Sequence, residues 1–550
     1  MPGGTPQTLT PFLWRAENLY ADREVVSRTH AGIERYDYRT YGDRTAQLAA
    51  ALDETGHGDG DRVGTFCWNH HRHFETYFGV PGIGAQLHTV NPLLPDGHVQ
   101  HIVESAADRT IFVDRSFLPT LEAARTDDPD AFASVERYVV MGEDVPETTL
   151  EPAVAYESFL DGHPTDYDWP QLDGDQPAGM CFTSGTTGKP KGVEYTHQML
   201  WGHTMGMLSP QGIPMADDDV VMPVVPMFHV NAWGIPFAAT AGGAKHVYPG
   251  PQPDPGDLAD LIEAEGVTVT AGVPTVWLGL MEYMEDTAVD LSSLEAVVVG
   301  GSAAPEAMIR FFDDHGVELL HAWGMTETSP IGTVSHVKTG LQGADYGAQL
   351  AKRTKQGLVL PGLEFRVVGD DGEEVAWNGE DFGELRIRGP WVTTEYFKRP
   401  EASELEFADG YLKTGDIVTV DPDGYIKVVD RTKDVIKSGG EWISSVELEN
   451  AIMAHDAVSE AAVIGVSHER WQERPLALVV PTDDAATGLE ADIQDHLREE
   501  YPKWWLPDTV VTIQEIPKTA TGKFDKKALR EEYSDESLVE GRVPEEAAPE

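Results

Sequence analysis

The stretch Thr183-Ser184-Gly185-Thr186-Thr187-Gly188-Lys189-Pro190-Lys191-Gly192 directly follows a short apolar segment, residues 180–182, that is typical of a β-strand. Small hydroxylated residues and glycines leave backbone N–H groups and hydroxyls free to approach an anion. The two lysines supply neutralising charge. The stretch therefore predicts a phosphate-binding loop at the end of a strand. It is not a Walker A motif, because its glycines are too close together and Pro190 stands where Ser or Thr would follow the lysine. The alternative is a flexible Ser/Thr/Gly loop without a ligand.

On both sides of this loop, from residue 26 to about residue 240, short apolar runs alternate with helical patterns. Residues 45–52 read as a helix, and residues 62–66 and 110–113 read as strands. Such alternation predicts βαβ units and a largely parallel sheet. Apolar runs at residues 267–273, 296–299 and 318–321 continue the pattern.

The pattern changes near residue 357, where strands become short and alternating. Residues 417–420 and 425–429 flank Asp421-Pro422-Asp423-Gly424, a hairpin turn signal, and predict a small antiparallel β unit. Beyond residue 430 helices and strands mix as in an α+β module, and the acidic last twenty residues predict a disordered tail. The predicted fold class is α/β, with a large N-terminal domain and a small α+β C-terminal domain.

The charge balance is strongly acidic, with 93 Asp and Glu residues against 40 Lys and Arg residues, a formal net charge of −53. This charge argues against nucleic acid and anionic membranes as partners. Salt would screen it, since the Debye length falls to about 3 Å at 1 M. We therefore expect a halophilic protein of a high-salt cytoplasm. The alternative is an acidic mesophilic protein kept soluble by its charge.

Cysteine usage and hydropathy predict a soluble, cytoplasmic protein. Cys67 and Cys181 cannot form a disulfide framework, which indicates a reducing compartment. Residues 1–20 lack the basic and apolar pattern of a signal peptide. The uncharged run at residues 220–244 contains prolines and polar groups, so we expect buried strands and loops there rather than a membrane span.

Three further segments combine polar groups with apolar flanks. Gly300-Gly301-Ser302 ends an apolar strand, where open α/β sheets present ligand-binding loops. Glu327 lies among hydroxyls in residues 321–328 and is a candidate Mg²⁺ ligand, the alternative being a solvated surface carboxylate. Residues 226–233 form an aromatic stripe that by itself favours core. Two basic clusters, at residues 427–437 and 518–530, predict either polyphosphate contacts or local salt-bridge patches.

Together these segments closely resemble the adenylate-forming superfamily of acyl-CoA synthetases, firefly luciferases and nonribosomal-peptide adenylation domains. The resemblance covers residues 10–530 and follows six motifs in order, at residues 183–192, 300–302, 324–328, 411–416, 430–440 and 517–523. It implies an AMP- and acyl-binding domain at residues 1–430, a mobile lid at 431–533 and an acidic tail at 534–550. Residues 430–433 would be the hinge of the lid.

The resemblance also implies two half-reactions. ATP and a carboxylate give an acyl-adenylate and pyrophosphate, and the CoA thiol then displaces AMP. Lys523 would bridge the carboxylate and the α-phosphate, an electrostatic task in the transition state. Asp416 would accept hydrogen bonds from the ribose, and Thr326 would contact the α-phosphate.

The implied roles cover the following residues: catalysis, Lys523, Thr183 and Glu327; ATP and AMP binding, Thr183, Ser184, Gly185, Thr186, Thr187, Gly188, Lys189, Lys191, Gly301, Ser302, His321, Ala322, Thr326, Asp416, Arg431, Lys433, Lys437 and Trp442; the acyl tunnel and its gate, His229 and Trp233; CoA binding, Gly439 and Gly440; the metal, Thr183 and Glu327.

The segments His229-Val230-Asn231-Ala232-Trp233 and Lys437-Ser438-Gly439-Gly440-Glu441-Trp442-Ile443-Ser444 are similar to the medium- and long-chain fatty-acyl-CoA synthetase branch. The resemblance implies an AMP-forming fatty acid–CoA ligase that uses ATP, Mg²⁺ and coenzyme A, and its members are often homodimers. The alternatives are an aryl- or short-chain-acid CoA ligase, an adenylation domain serving a carrier protein, a luciferase-like oxygenase and, from another class, a non-catalytic acyl-nucleotide binding protein.

Overall fold

The fold is described from a computed structural model, at residues 5–29, 31–183, 189–438, 441–455, 457–468, 470–482, 488–498, 501–518 and 524–533. Its strands are β1 Glu24–Thr29, β2 Gly32–Asp37, β3 Arg62–Phe66, β4 Gln86–Thr89, β5 Thr110–Asp114, β6 Arg137–Met141, β7 Ala153–Ala155, β8 Pro177–Phe182, β9 Gly192–Thr196, β10 Val220–Pro223, β11 Lys245–Tyr248, β12 Val269–Gly272, β13 Ala296–Val299, β14 Glu318–Gly324, β15 Ile331–Val334, β16 Leu358–Val359, β17 Glu364–Val368, β18 Phe382–Arg388, β19 Phe407–Ala408, β20 Tyr411–Val420, β21 Ile426–Arg431, β22 Ile436–Ser438, β23 Glu441–Ile443, β24 Val458–His468, β25 Gln472–Pro481 and β26 Thr509–Thr512.

The helices are α1 Thr10–Leu19, α2 Tyr38–Glu54, α3 His71–Gly82, α4 Asp96–Ala106, α5 Leu118–Asp127, α6 Tyr156–Leu160, α7 His197–Met207, α8 Ile235–Gly242, α9 Pro255–Glu265, α10 Pro274–Asp286, α11 Glu306–Asp314, α12 Tyr346–Arg353, α13 Pro400–Glu406, α14 Ser445–Met453, α15 Leu489–Leu497 and α16 Lys526–Glu532. Short 3₁₀ turns occur at Arg115–Phe117, Asp130–Phe132, Thr326–Thr328 and Thr339–Leu341.

Two large sheets are mainly parallel, as the alternating pattern predicts. The first has the order β16-β15-β14-β13-β12-β10-β11-β1-β2 and the second the order β7-β6-β5-β3-β4-β8-β9. Parallel strands need crossover connections, and α9, α10 and α11 supply them between β11, β12, β13 and β14. These helices bury their apolar faces on the sheet around Trp277 and Phe312, both fully buried.

A third sheet contains the predicted antiparallel hairpin. Its order is β17-β18-β20-β19, with β21 paired to β20. Asp421 Oδ1 accepts hydrogen bonds from the backbone N–H groups of Asp423 and Tyr425, at 2.9 and 3.1 Å, which fixes the turn between β20 and β21.

The fourth sheet has the order β23-β22-β25-β24, with β26 parallel to β25. Alternate residues of β24 face opposite sides, as a strand period of two requires. Ala461 and Val463 pack with α14 and α15, while Ala462 and Ile464 pack with Leu529 of α16. The result is an α+β module with a core on each face of the sheet.

Two compact units divide the chain: Met1–Phe365 with Ile387–Leu412, and Arg366–Arg386 with Lys413–Glu550. The predicted α/β class, with mainly parallel sheets followed by a small α+β module, is confirmed, whereas the domain boundary at residue 430 stays a prediction. The tail at 534–550 lies outside the described residues.

One local expectation is wrong. Strands and loops are expected at residues 220–244. The strand β10 is there, but the segment also includes the helix α8, Ile235–Gly242, which has Pro236 in its first turn and is followed by Gly243, whose φ is +85°. Proline is favoured in a first helical turn and glycine just beyond a last one. Within the described ranges, no helix combines the length and apolar character needed to span a bilayer.

Candidate active site

The base of the predicted phosphate loop is closed by two residues. β8 and β9 pair antiparallel, and the loop connects their ends. The Thr183 N–H donates to the Lys191 carbonyl at 2.9 Å, and the Lys191 N–H donates to Thr183 Oγ1 at 3.1 Å. Lys189 is exposed and Lys191 half-buried. Ser184, Gly185, Thr186, Thr187 and Gly188 lie outside the described residues.

A chain of contacts leads from this loop base to Glu327. Lys191 Nζ lies 4.1 Å from the centre of the Tyr396 ring, a cation–π contact. The Tyr396 hydroxyl donates to Glu327 Oε1 at 2.8 Å. Burial and the neighbouring Glu327 carboxylate raise the pKa of Tyr396, so its hydroxyl stays protonated and acts as a donor. Tyr396 thus contacts both the loop lysine, Lys191, and the candidate metal ligand, Glu327.

Glu327 itself lies in the 3₁₀ turn Thr326–Thr328 between β14 and β15. The turn is held from outside, because the Tyr195 hydroxyl donates to the Thr326 carbonyl at 2.7 Å and the Thr393 N–H donates to the Glu327 carbonyl at 2.9 Å. Glu327 is only 5% exposed, which contradicts the alternative of a solvated surface carboxylate. A buried carboxylate held by one hydroxyl donor suits a hard cation such as Mg²⁺.

The carboxyl ends of β13 and β14 meet beside this turn. Gly301 and Ser302 follow β13 in an exposed loop, and the φ of Gly301 is +85°, a value that favours glycine. His321 and Ala322 on β14 are buried. Burial lowers the pKa of His321 to about 4, so its ring is neutral at pH 7. His321 Nδ1 has no hydrogen-bond partner among the described residues, which leaves a buried polar atom at the predicted nucleotide side.

The aromatic stripe forms an unusual left-handed turn. Val230, Asn231, Ala232 and Trp233 have φ values of 37°, 59°, 47° and 58°. Left-handed backbone costs non-glycine residues roughly 1–2 kcal/mol each. The turn places the Trp233 indole against Gly300, and Trp233 is 5% exposed. A Cβ added at Gly300 would lie 3.0 Å from Trp233 Cη2. The stripe is therefore buried, as predicted for core, and it also contacts the Gly300–Ser302 segment.

His229 precedes this turn, and its backbone N–H donates to the Pro226 carbonyl at 3.0 Å.

The second compact unit carries the other candidate residues. Asp416 and Arg431 are paired across the β20–β21 hairpin, and Arg431 Nε lies 2.6 Å from Asp416 Oδ1. Asp416 is buried and Arg431 is 40% exposed. Lys433 and Lys437 are exposed. Gly439, Gly440, Lys523 and the side chain of Trp442 lie outside the described residues.

Several members of the basic clusters pair with carboxylates. The Nζ atoms of Lys518 and Lys526 each lie 2.6 Å from a glutamate oxygen, of Glu460 and Glu449, and Lys427 pairs with Glu447. For these lysines the salt-bridge interpretation fits the geometry.

A separate set of metal-type ligands acts as a helix cap. Cys67, His70 and Asp114 bring their ligand atoms within 4.8 Å of one another. His70 Nδ1 accepts the N–H of His73 at 3.1 Å, and Nε2 lies 3.0 Å from Asp114 Oδ1. A neutral imidazole has one lone pair, so the nitrogen facing Asp114 carries the proton. This arrangement caps α3 and leaves no imidazole lone pair for a metal.

Sequence reasoning missed Tyr396, Tyr195 and Thr393. Tyr396 lies 69 residues from Glu327 and Tyr195 lies 131 residues from Thr326, so no local spacing links them. Tyr195 comes four residues after Lys191, and nothing in the sequence around it indicates a functional role.

The comparisons with known proteins identify the family of this chain. The chain belongs to the AMP-binding enzyme family, whose model matches residues 13–397, and a model of the AMP-binding enzyme C-terminal domain matches residues 447–523. It is 45% identical over 528 residues to the long-chain-fatty-acid–CoA ligase of Thermus thermophilus, covering 96% of this chain and 95% of that one. It is 40% identical over 534 residues to the 3-methylmercaptopropionyl-CoA ligase of Ruegeria pomeroyi, covering 96% and 98%.

A solved structure, of the anthranilate CoA ligase in complex with anthranoyl-AMP, superposes with a TM-score of 0.85 at 25% identity, covering 96% of this chain and 98% of that one. The protein is accordingly an AMP-forming acid–CoA ligase.

Proposed function

We propose that the protein is an ATP-dependent fatty acid–CoA ligase that favours medium- to long-chain acids. It converts a carboxylate and ATP into acyl-AMP and pyrophosphate, and then acyl-AMP and CoA into acyl-CoA and AMP. A carboxylate is a poor electrophile, whereas its mixed anhydride with AMP carries a good leaving group.

The observation that carries the choice of acid is the placement of Trp233. Its indole packs on Gly300. A Cβ added at Gly300 would also lie 3.1 Å from the carbonyl oxygen of Ala322. The surrounding segment, residues 220–244, has no Asp, Glu, Lys or Arg. An uncharged wall beside the adenylate-binding strands suits a hydrocarbon chain, because burying it is favourable by about 0.8 kcal/mol per CH₂. The relative named for long-chain fatty acids supports the same choice.

The loop and Glu327 would act on the phosphates. Thr183 and the loop that follows it would contact the β- and γ-phosphates, with the Lys189 and Lys191 ammonium groups neutralising their charge. Glu327 and the Thr183 hydroxyl offer the oxygen ligands that Mg²⁺ prefers, and Tyr396 holds the carboxylate in one orientation. Bound there, Mg²⁺ would neutralise charge that develops on the departing pyrophosphate.

The remaining residues would bind the nucleoside and carry out the transfer. Asp416, oriented by Arg431, would accept hydrogen bonds from the ribose hydroxyls. Thr326 would contact the α-phosphate, and neutral His321 would line the adenine side. Lys523 would draw the carboxylate and α-phosphate oxygens together. In the second half-reaction Gly439 and Gly440 would let the pantetheine arm pass close to the backbone.

The acidic composition supports work in a high-salt cytoplasm. A net charge of −53 repels ATP and CoA at long range, and molar salt removes that repulsion. Cys67 and Cys181 are both buried free thiols, which agrees with a reducing compartment. Activity that persists at low salt and falls above about 1 M KCl would contradict this part of the proposal.

A panel of acids tests the proposed substrate. Pyrophosphate release would be measured in about 2–3 M KCl with ATP and Mg²⁺, using acetate, butyrate, 3-methylmercaptopropionate, octanoate, palmitate, benzoate and cinnamate, each with and without CoA. We expect the highest kcat/KM with octanoate or palmitate, with acyl-CoA and AMP formed only when CoA is present. A maximum with butyrate, 3-methylmercaptopropionate or the aryl acids would overturn the fatty-acid assignment. No release with any acid would favour a non-catalytic nucleotide-binding protein.

A further inference from the structure

One face of the C-terminal helix α16 carries two cations that are bonded inward. Lys526 and Arg530 are four residues apart, so both lie on the same face of the helix. Lys526 Nζ lies 2.6 Å from Glu449 Oε1 and donates to Ser445 Oγ at 2.6 Å, and its side chain is 11% exposed. Arg530 Nη2 donates to Asp434 Oδ1 at 2.7 Å. The adjacent Lys527 instead is 64% exposed.

These contacts end on residues 430–434, a segment that contains the hinge at residues 430–433 implied by the family resemblance. The Ser445 N–H and hydroxyl donate to Asp430 Oδ2 at 2.7 and 2.5 Å. Asp430 Oδ1 accepts the Arg431 N–H at 2.7 Å. Both acidic side chains of the segment are therefore tied to α16, Asp430 through Ser445 and Lys526, and Asp434 directly through Arg530.

The group is costly to bury, which indicates a role beyond stability. Glu449 and Asp430 are 6% and 1% exposed, and burial raises the pKa of each carboxyl while the Lys526 ammonium lowers it. Glu449 Oε1 also accepts the Val463 N–H at 2.7 Å. Well-packed apolar residues are often at least as stable as buried ion pairs, whereas in some proteins buried ionic and polar groups fix one geometry.

The same helix follows the predicted catalytic lysine in the chain. Lys523 precedes Lys526 by three residues. The described residues on either side of residues 519–523 are held together by backbone contacts. Lys518 and Phe524 form an isolated antiparallel β-bridge, and the Asp525 N–H donates to the Pro517 carbonyl at 2.7 Å. The chain that leads from Lys523 thus enters a helix bonded to the hinge segment.

We propose that Lys526 and Arg530 are positioning residues for adenylation, and that they join residues 430–434 to α16 so that the hinge and Lys523 turn as one body. The proposal rests on the proposed roles of the hinge and of Lys523. Lys526 and Arg530 touch no substrate in this scheme and act through the segment that they hold. Loss of either bond lets α16 shift against the hinge and reduces the fraction of molecules in which Lys523 is in place.

The test separates the two half-reactions. Octanoate-dependent exchange of labelled pyrophosphate into ATP measures adenylation, and CoA-dependent release of AMP from preformed octanoyl-AMP measures thioester formation. We expect Lys526→Met to slow adenylation about tenfold and thioester formation less than about threefold, with Arg530→Gln showing the same selectivity to a smaller extent. Lys526→Arg should recover part of the adenylation rate. Lys527→Met, a matched change on the exposed face, should match the unmodified enzyme in both steps.

A double-mutant cycle identifies the residue through which Lys526 acts. If Lys526 acts through Lys523, then Lys523→Ala with Lys526→Met adenylates no more slowly than Lys523→Ala alone. Multiplied losses, or equal losses in both half-reactions, would overturn the proposal and leave Lys526 a structural residue. If Lys523→Ala alone leaves adenylation unchanged, the proposed function of Lys523 fails instead. Should Lys526→Met not fold, Arg530→Gln decides, because Arg530 is 29% exposed and its partner Asp434 is less deeply buried than Glu449.

Discussion

The hydroxyl of Tyr396 should lower the Mg²⁺ concentration that the enzyme needs for half-maximal activity. Tyr396→Phe removes the hydroxyl that donates to Glu327 Oε1 at 2.8 Å, while keeping the ring under Lys191 and beside Phe407. A hydrogen bond to a charged group contributes about 1.5–3 kcal/mol, and groups that orient a metal ligand typically change metal affinity by about 10–100-fold. We therefore expect the Mg²⁺ concentration for half-maximal activity to rise at least about tenfold, since 1.4 kcal/mol is a factor of ten.

The assay is pyrophosphate release at saturating ATP and octanoate over a Mg²⁺ titration. At saturating Mg²⁺ the variant should keep kcat within about threefold, because the ligand itself remains. Tyr346→Phe is the matched control: it removes a tyrosine hydroxyl that donates to Asp313 Oδ2 at the same 2.8 Å, on the surface helix α12. An unchanged Mg²⁺ requirement in Tyr396→Phe, or an equal change in Tyr346→Phe, would refute the reasoning that Glu327 is a metal ligand held by Tyr396.

Three further predictions follow from the same structure. Lys433→Pro should leave adenylation nearly intact and block thioester formation, because proline stiffens the proposed hinge; a normal overall rate would place the hinge elsewhere. Gly300→Ala should lower kcat/KM for octanoate about tenfold, because the new Cβ would lie 3.0 Å from Trp233 Cη2; equal activity would exclude this contact from the acyl site. Burial lowers the pKa of His203 to about 3 and of His321 to about 4, below the usual 6.5. Below pH 6.5 the unfolded chain binds these protons and the folded protein does not, so the free energy of unfolding should fall by about 1.4 kcal/mol per pH unit for each histidine; equal stability in urea at pH 7 and pH 5 would contradict this.

The fold follows from the sequence wherever periodicity is strong. The runs at residues 62–66 and 296–299 are strands with the predicted bounds, and the Asp421–Gly424 turn forms the predicted hairpin. Residues 220–244 could not be read this way, since an apolar helix such as α8 and a buried strand have the same composition. The left-handed turn at Val230–Trp233 also could not be predicted from propensity, because it opposes the preferences of Val230, Ala232 and Trp233.

The sequence likewise predicts only part of the candidate site. Motifs marked Thr183, Lys191 and Glu327, which the structure connects through one tyrosine. Tyr396 itself could not be predicted, because its role depends on a contact across 69 residues, and contacts of that kind are set by packing rather than local pattern. The pairing of Lys526 with Glu449 is another such case: composition allowed either phosphate binding or a salt bridge, and the geometry shows the salt bridge.

The most direct test of the adenylate route follows oxygen from the acid. Octanoate labelled with ¹⁸O in its carboxylate would be incubated with the enzyme, ATP, Mg²⁺ and CoA, and the products analysed by mass spectrometry. If the carboxylate attacks the α-phosphorus and CoA then attacks the acyl carbon, each AMP carries one ¹⁸O atom and the pyrophosphate carries none. Label in inorganic phosphate with formation of ADP, or unlabelled AMP alongside acyl-CoA, would contradict the account.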